Sequence, residues 1–214
     1  MLVSGQHKIR IVVVDDHPGV RAGLKNLLTN DNNIIVVGEG ATGADALELA
    51  RTENPDVMLL DVEIPIMRGE EVMRRIKEEQ LEVKVLAVSS YNDRLYIQEM
   101  LNNGAFGYLT KDEAPKYLVA AIHSIMAEDH GRRCVSPKVA DNILESKGDK
   151  EAFTRREWAI LHQLAQNKTS SEISQSLGLN EKYIDRHIEL LMNKCQVTKP
   201  AELRKIARDF VSKQ

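Results

Sequence analysis

Short apolar runs follow one another along the first 128 residues of the chain. Each run consists mostly of aliphatic or β-branched residues, and four of the five end directly before a charged or hydroxyl side chain. Continuous apolar runs of this length are typical of strands that are buried on both faces of a parallel sheet. The runs comprise residues 12–14, 34–37, 57–60, 85–88 and 107–110.

Helical patterns separate the predicted strands. Residues 20–28 place four aliphatic side chains on one face of a helix, and four later segments have compatible spacing. Glycine and proline residues mark the joins between these elements. Five strands that alternate with five helices predict an α/β fold, with helices on both faces of a parallel sheet. The later helical segments comprise residues 46–50, 72–76, 95–101 and 118–125.

Polar side chains follow four of the predicted strands at the point where each strand ends. Because the carboxyl ends of strands in an open parallel sheet face one crevice, we expect these side chains to lie close together. Several carboxylates in a dry crevice repel one another, which raises the pKa of at least one unless a cation lies among them. A hard cation such as Mg2+ fits such a site. The side chains are Asp15, Asp16, Asp61, Ser89 and Lys111.

This set of groups is suited to phosphoryl transfer. Asp61 would act as the nucleophile that accepts the phosphoryl group, as carboxylates do in other phosphoryl acceptors. Ser89 would donate a hydrogen bond to a phosphoryl oxygen, and Lys111 would neutralise the transferred charge. A single Asp after a strand is usually a turn former or a helix cap, so the prediction depends on the four strand ends together.

The last third of the chain has the pattern of a small helical bundle. Residues 154–157 and 169–172 both have the spacing of a capping box, and Gly178 marks a turn between two helices. A short helix, a glycine turn and a longer helix predict a helix-turn-helix, whose second helix is free to enter a major groove. We expect a linker at residues 129–150, with a short helix at 138–144 and an exposed end at 146–150. The last helix is expected to start near Pro200.

Charge and composition narrow the class of protein. Residues 1–128 contain 13 Lys and Arg against 20 Asp and Glu, giving −7, whereas residues 151–214 contain 11 against 8, giving +3. This asymmetry suggests two units with different partners. No apolar run approaches the length of a membrane span and residues 1–8 lack a signal-peptide core, so we expect a cytoplasmic protein without membrane contact. Cys134 and Cys195 lack metal-ligand spacing and are expected to be reduced thiols.

The motifs of the first half resemble those of the receiver domain of bacterial two-component response regulators. The matching segments are residues 13–18 (VVDDHP), 60–65 (LDVEIP) with Gly69, 88–90 (VSS) and 107–111 (GYLTK). The resemblance covers residues 8–128 and implies a flavodoxin-like, doubly wound five-stranded parallel sheet with strand order 2-1-3-4-5. Two positions depart from the family pattern, Ile64 where Met is frequent and Asp112 where proline is common.

The resemblance also assigns roles to residues of the crevice. It implies that a sensor histidine kinase phosphorylates Asp61 and that Asp15, Asp16 and Asp61 hold Mg2+, with Glu63 contributing its backbone carbonyl. Ser89 and Tyr108 would form a switch pair that responds to the phosphoryl group. An aromatic residue at the end of a strand also commonly packs in the core, which is the alternative for Tyr108.

The motifs of the last third resemble the LuxR-type DNA-binding domain, which commonly follows a receiver in regulators of the NarL/FixJ type. The matching residues are 153–157 (FTRRE), 160–161 (IL), 171–173 (SEI), 177–178 (LG), Ile184, His187, Leu191, Lys194 and Val197. The match covers residues 151–214. His187 lies on the apolar face of its helix, so a packed core histidine is expected there rather than a ligand.

The predicted recognition helix departs from the family in its charge. Asp185 and Glu189 stand where basic residues are usual, and Ser171 replaces a frequent basic residue just before this helix. Phosphate contacts dominate DNA affinity, so each acid both removes a cation and adds repulsion, although acids can also accept hydrogen bonds from cytosine amino groups. The expected contacts with double-stranded DNA come from Lys168, Lys182, Asp185, Arg186, Glu189, Asn193 and Lys194.

The sequence therefore predicts a phosphorylation-activated response regulator that controls transcription and forms a homodimer on activation. We do not expect the protein to be an enzyme. The receiver is expected to catalyse only its own phosphorylation and dephosphorylation. One alternative is a receiver whose helix-turn-helix domain has lost DNA binding and acts through a protein partner. The other is a phosphatase with Asp61 as nucleophile, but the second Asp that such enzymes usually carry two residues later is Glu63 here.

Overall fold

A computed structural model describes residues 8–127, 133–145, 153 and 155–211 of the protein. The chain divides into two compact units, residues 1–148 and 149–214, and the boundary falls inside the predicted linker. The predicted exposed end of that linker, residues 146–150, lies outside the described residues, and so does Thr154 of the first predicted capping box. None of the helices among the described residues is long and apolar enough to cross a bilayer.

The first unit is built on a parallel sheet. Its strands pair in the order β2-β1-β3-β4-β5-β6, and the central strands β1, β3 and β4 are almost completely buried. Burial on both faces explains why these strands are continuous apolar runs in the sequence. The strands are β1 (Ile9–Val14), β2 (Ile34–Gly40), β3 (Val57–Leu60), β4 (Lys84–Ser89), β5 (Gly107–Thr110) and β6 (Cys134–Val135).

Helices connect the strands of this unit. Helices α1 and α5 bury aliphatic side chains against one face of the sheet, including Leu24, Leu28, Leu118 and Ile122. Burial of one such side chain contributes about 1.5–3 kcal/mol, so this layer is a main source of stability for the unit. The helices are α1 (Pro18–Leu28), α2 (Gly43–Glu53), α3 (Gly69–Glu78), α4 (Arg94–Asn102), α5 (Ala114–Met126) and α6 (Pro137–Glu145).

The sheet has six strands, which corrects the prediction of five in the order 2-1-3-4-5. The additional strand β6 lies in the predicted linker and pairs with β5 through the hydrogen bonds Cys134 N to Phe106 O (2.9 Å) and Ser136 N to Tyr108 O (3.2 Å). Gly107 permits this approach, because a Cβ there would lie 2.2 Å from the Cys134 carbonyl oxygen. Two residues are too few to produce a strand pattern in the sequence, so the strand was missed.

The second unit is helical, with α7 (Arg155–Ala165), α8 (Ser170–Leu177), α9 (Glu181–Lys194) and α10 (Pro200–Val211). The predicted capping box of α8 is present, because the Thr169 hydroxyl accepts from the Glu172 N–H and the Glu172 carboxylate accepts from the Thr169 N–H. Gly178 ends this helix with a φ of 65° in the left-handed region, which favours glycine. The Asn180 side chain then caps α9, so the predicted helix-turn-helix layout is confirmed.

The loop between β3 and α3 contains an unusual turn at Ile66. The Met67 N–H donates to the Pro65 carbonyl oxygen at 2.8 Å, which closes a three-residue turn. Ile66 at its centre has a φ of 72°, and its side chain is 85% exposed. Turns of this kind are rare and strained, and a β-branched residue is poorly suited to the left-handed region. The strained conformation of Ile66 therefore lowers the stability of the first unit, and its exposed side chain does not offset this loss by packing in the core.

Replacing Ile66 with glycine should raise the free energy of unfolding of the first unit. Relief of a left-handed β-branched residue gains about 1–2 kcal/mol, and the added freedom of the unfolded chain offsets about 0.4–1 kcal/mol, so a net gain of up to about 1 kcal/mol is expected. Urea unfolding would measure it. The matched control is Ile35→Gly, because Ile35 is another exposed isoleucine but lies in β2, where glycine should destabilise. A loss of stability in Ile66→Gly would contradict the assignment of strain.

Candidate functional site

Three charged side chains meet at the carboxyl ends of β1, β3 and β5. The Lys111 Nζ lies 2.6 Å from Asp15 Oδ2 and 2.8 Å from Asp61 Oδ2. Asp15 is 1% exposed and Asp61 is 5% exposed, so one ammonium group serves two nearly buried carboxylates. The arrangement has an excess of negative charge in a site that water reaches poorly.

The sheet itself holds these residues in position. The N–H of Asp15 donates to Gly40 O at 3.1 Å, and the N–H of Asp61 donates to Val14 O at 2.9 Å. The Lys111 N–H in turn donates to Ser89 O at 2.8 Å. Each functional residue thus continues the hydrogen-bond ladder of its strand by one residue, which fixes its backbone before the chain turns away.

Asp16 and His17 extend the acidic cluster at the end of β1. The His17 Nδ1 lies 2.6 Å from Asp16 Oδ1 and 3.6 Å from Asp15 Oδ1, and the potential ligand atoms of all three residues lie within 4.8 Å of one another. His17 was not predicted as part of the site, and its position directly after the two acids was the available signal. Its side chain is mostly exposed, so it borders the cluster from the solvent side.

The donor atoms of this cluster fit a hard divalent cation. Asp15 Oδ2 and Asp16 Oδ1 are buried oxygens, and the basic groups beside them are the Lys111 Nζ and the His17 Nδ1, each at 2.6 Å. Carboxylate oxygens are ligands that Mg2+ prefers, and the cation retains several waters when only a few carboxylates bind it. The residues that could hold Mg2+ are therefore Asp15, Asp16 and Asp61, together with the Glu63 backbone, whose N–H already lies 3.5 Å from Asp61 Oδ1.

The electrostatic environment changes the acidity of Asp61. The pKa of its carboxyl group is raised from 3.8 to about 6, because burial and the negative charge of Asp15 outweigh the lowering effects of Lys111 and of a hydrogen bond from the Glu63 backbone. Burial lowers the pKa of Lys111, but Asp61 and Asp15 outweigh it, so the pKa of Lys111 is raised overall. Lys111 therefore stays charged, whereas Asp61 is partly protonated near pH 6 unless a cation offsets its charge.

Ser89 and Tyr108 meet at the backbone of Tyr91. The Ser89 hydroxyl accepts from the Tyr91 N–H at 3.2 Å, and the Tyr108 hydroxyl donates to the Tyr91 carbonyl oxygen at 2.9 Å. Tyr108 is fully buried, and this burial raises the pKa of its phenol. The sequence pattern did not single out Tyr91, because its part in the contact is made by backbone atoms.

The exposed face of α9 carries more acid than base. Lys182, Asp185, Glu189 and Asn193 are all exposed and lie at helical spacing on one face. The prediction placed Arg186 on this face, but the structure buries it to 7% exposure and puts its Nη1 3.3 Å from Glu189 Oε2. The arginine side chain is therefore largely shielded from solvent, and its guanidinium pairs with an acid one turn later on the same helix.

The two remaining predicted DNA contacts also have partners within the second unit. The Lys194 Nζ lies 2.8 and 3.0 Å from the carboxylate oxygens of Glu157, which is 1% exposed. This ion pair ties the end of α9 to α7. The Lys168 Nζ donates to the Gln163 side chain. His187 is buried, with its Nδ1 3.1 Å from the Tyr183 carbonyl oxygen, so the prediction of a packed core histidine is confirmed.

Two family models match the chain. The model for the response regulator receiver domain matches residues 11–123, and the model for bacterial regulatory proteins of the luxR family matches residues 151–207. The first match covers most of β1, all of β2 to β5 and the acidic crevice, and the second covers the helix-turn-helix. These are the two resemblances that the motifs predicted.

Relatives match over nearly their whole length. The transcriptional regulatory protein DegU of Brevibacillus brevis is 30% identical in an alignment of 214 positions, and this alignment covers 90% of this chain and 89% of DegU. The nitrate/nitrite response regulator protein NarL of Escherichia coli strain K12 is 30% identical over 205 residues, which cover 94% of this chain and 95% of NarL.

Solved structures agree with the fold. The receiver domain of the putative response regulator NarL from Mycobacterium tuberculosis is 36% identical with a TM-score of 0.55, and the match covers 58% of this chain and 99% of that domain. The RcsB response regulator of Salmonella typhimurium is 21% identical with a TM-score of 0.62, and the match covers 94% of this chain and 98% of that chain. At this identity the second match shows the fold alone.

Replacing Asp61 with Asn should change how stability depends on pH. Because the pKa of Asp61 is raised on folding, the folded chain keeps a proton that the unfolded chain releases between pH 3.8 and about 6. The free energy of unfolding therefore falls as pH rises through this interval, and the loss persists above it. In the absence of divalent cations, Asp61→Asn should remove up to about 3 kcal/mol of this fall and be more stable at neutral pH.

Urea unfolding from pH 4 to pH 7.5 with a chelator present would measure this effect. Mg2+ at neutral pH provides the control, because it should stabilise the original chain more than Asp61→Asn. Parallel stability curves for the two chains across this pH range would show that burial of Asp61 does not control its protonation.

Proposed function

The chain belongs to the transcriptional response regulators that join a receiver domain to a luxR-family DNA-binding domain, and on this basis we propose that phosphorylation of Asp61 controls its output. The observation that carries the proposal is the Lys111 ammonium group between Asp15 and Asp61. It places a nucleophilic carboxylate, a second carboxylate and a fixed positive charge in one nearly buried crevice. These are the groups that a phosphoryl acceptor needs.

In the proposed reaction, one oxygen of Asp61 attacks the phosphorus of a phosphohistidine on a sensor histidine kinase. A P–O bond forms as the P–N bond of the donor breaks, and its electron pair returns to the imidazole ring. Lys111 then neutralises the phosphoryl charge, and the Ser89 hydroxyl donates to a phosphoryl oxygen. The receiver thus supplies its own catalytic groups and accepts the phosphoryl group itself.

The acidic cluster is the proposed Mg2+ site, with Asp15, Asp16, Asp61 and the Glu63 backbone carbonyl as ligands. Bound there, the cation supplies positive charge that offsets the repulsion between the carboxylates and the incoming phosphoryl group. Asp15 is held by its backbone bond to Gly40, so the site exists before the donor arrives. Preorganised charge of this kind lowers the cost of reaching the transition state.

The proposed switch consists of Ser89 and Tyr108, which both hydrogen-bond to the backbone of Tyr91. A phosphoryl group on Asp61 draws the Ser89 hydroxyl towards it and shifts the loop that both side chains hold.

We place the receiver at residues 8–128, the linker at 129–150 and the DNA-binding domain at 151–214. Phosphorylation favours a homodimer that reads two half-sites in the cytoplasm.

The proposed DNA contact is the exposed face of α9, with Lys182, Asp185, Glu189 and Asn193. Lys168 contributes from the turn before α8. The acids accept hydrogen bonds from cytosine amino groups in the major groove, whereas the lysines approach phosphates. Arg186 has a different role here, since it is buried and orients Glu189 through their ion pair.

Phosphorylation is tested directly with a small phosphodonor such as acetyl phosphate in the presence of Mg2+. Intact-mass measurement should show the addition of one phosphoryl group, since Asp61 is the carboxylate of the crevice that directly follows the central strand β3. Chelation of Mg2+ and the substitution Asp61→Asn should both abolish the addition. Persistent labelling of Asp61→Asn would refute the assignment of Asp61.

The role of the acidic helix face is tested by the double substitution Asp185→Lys with Glu189→Lys. Two new cations facing phosphates should strengthen binding to random duplex DNA and steepen the log-log dependence on salt by up to about 2 units. If the acids read cytosines, sequence preference at those positions should relax at the same time.

Binding isotherms at several salt concentrations, on a selected site and on random duplex, separate these effects. The control is Glu48→Lys with Glu82→Lys, which adds the same charge at exposed positions of the first unit. An unchanged slope in the α9 variant would remove this helix from the DNA interface and favour a protein partner for the second unit.

A further inference from the structure

Residues 133–145, here called the arm, comprise β6 and α6 and lie in sequence between the receiver and α7. We propose that the arm is docked on the receiver while Asp61 is unphosphorylated, and that phosphorylation of Asp61 undocks it. The inference rests on the proposed phosphorylation of Asp61 and extends it to a segment that the sequence predicted only as a linker. Three sets of contacts hold the arm, and two of them lie next to residues of the crevice.

The first set attaches the arm to the edge of the sheet. Strand β6 pairs with β5 in parallel register, Gly107 with Cys134 and Tyr108 with Val135. Only two residues pair, so the strand contributes a short ladder. Helix α6 then packs against α4 and β5. Among the described residues of this helix, Val139 is the apolar residue that is fully buried. The arm therefore has a small apolar anchor, and polar contacts make up much of its attachment.

The second set joins the arm to the loop after Ser89. The Asn92 Nδ2 donates to Lys138 O at 3.4 Å, and the Asn142 side chain donates to Asn92 O. The neighbouring Tyr91 receives the hydrogen bond of Tyr108 and donates its N–H to Ser89. A shift of Ser89 towards a phosphoryl group therefore acts on a four-residue loop that α6 holds from the other side.

The third set joins the arm to the residues that directly follow Lys111. One oxygen of the Glu113 carboxylate accepts from the Ser136 hydroxyl at 2.5 Å, and the other accepts from the Lys138 N–H at 3.2 Å. Asp112 forms an ion pair with the Lys138 ammonium group, although both side chains are exposed. Ser136 is almost completely buried, so its bond to Glu113 is the best protected of these contacts. Both loops that hold the arm thus begin at a residue that is proposed to contact the phosphoryl group.

The order of the strands gives the direction of the effect. Asp61 follows β3, whereas the arm extends the sheet beyond β5, so β4 and β5 lie between them. A phosphoryl group on Asp61 draws Ser89 towards β3, which is away from β6, whereas the Lys111 Nζ already lies 2.8 Å from Asp61 Oδ2. The loop that carries Asn92, the partner of Asn142, then moves away from the arm. Because contacts of this kind weaken steeply with distance and misalignment, a small displacement is enough to break them.

The chain contains its own reporter for undocking. Cys134 lies in β6, and its burial raises the pKa of the thiol, so docking should slow its reaction with iodoacetamide. In the full-length chain with Cys195→Ser, alkylation at Cys134 is followed by peptide mass spectrometry with and without acetyl phosphate and Mg2+. Phosphorylation should speed alkylation by about 5-fold or more, the lower end of ordinary coupling between two sites.

Two variants test the contacts themselves. Asn142→Ala removes the bond to Asn92 and should speed alkylation without phosphorylation, while the neighbouring exposed Asp141→Ala should leave the rate unchanged. Because coupling is reciprocal, Asn142→Ala should also tighten binding of beryllofluoride, a phosphoryl mimic. Asp61→Asn should abolish the response to acetyl phosphate.

The outcomes separate the inference from the proposed function. Phosphoryl uptake on Asp61 with an unchanged or slower alkylation rate would overturn undocking and leave Asp61 as the phosphoacceptor. Equal rates in Asn142→Ala and Asp141→Ala would also overturn it, since the arm would not depend on the loop after Ser89. A lack of phosphoryl uptake would overturn the proposed function and the inference together.

Discussion

The ion pair that Lys111 forms with Asp15 and Asp61 is the interaction on which the rest of the first unit depends. One ammonium group cannot neutralise two carboxylates that are almost fully buried, so the crevice retains negative charge. The cost of burying charge is high unless it is paired, which explains the raised pKa of Asp61 and the fit of the cluster to a divalent cation. The same imbalance makes the crevice responsive, because a cation or a phosphoryl group changes its charge directly.

In the proposed function, the fold converts this local charge into a signal because each crevice residue stands at the start of a loop. Ser89 opens the loop that holds Tyr91 and Asn92, and Lys111 opens the turn that contains Glu113. The strands before these residues are buried, whereas the loops after them are held by a few individual hydrogen bonds. In the proposed switch, a change at the crevice is therefore absorbed by the loops and not by the sheet.

Much of the fold was predictable from the sequence because buried parallel strands require continuous apolar runs, and the polar residues after them mark the crevice. The features that were missed have physical reasons. Strand β6 is too short to form a pattern, and Tyr91 acts through its backbone, which leaves no signal in residue type. Arg186 has a side chain long enough to be buried while its Cα lies near the surface, so helical spacing alone misplaced it. The strained turn at Ile66 depends on left-handed backbone geometry, which the residue type isoleucine does not predict.

The charge of α9 bears on why the output would depend on phosphorylation. Its exposed face offers one lysine against two acids, and Lys194 is engaged by Glu157, so a single second unit has few free cations on this helix for phosphate contacts. Each phosphate that a protein neutralises raises its affinity for DNA and makes that affinity more dependent on salt. A lone domain with few cations on this helix therefore binds weakly. Two linked copies on two half-sites gain from effective concentration without any new contact. In the proposed dimer, weak individual domains make occupancy depend on dimerisation, and hence on the charge at Asp61.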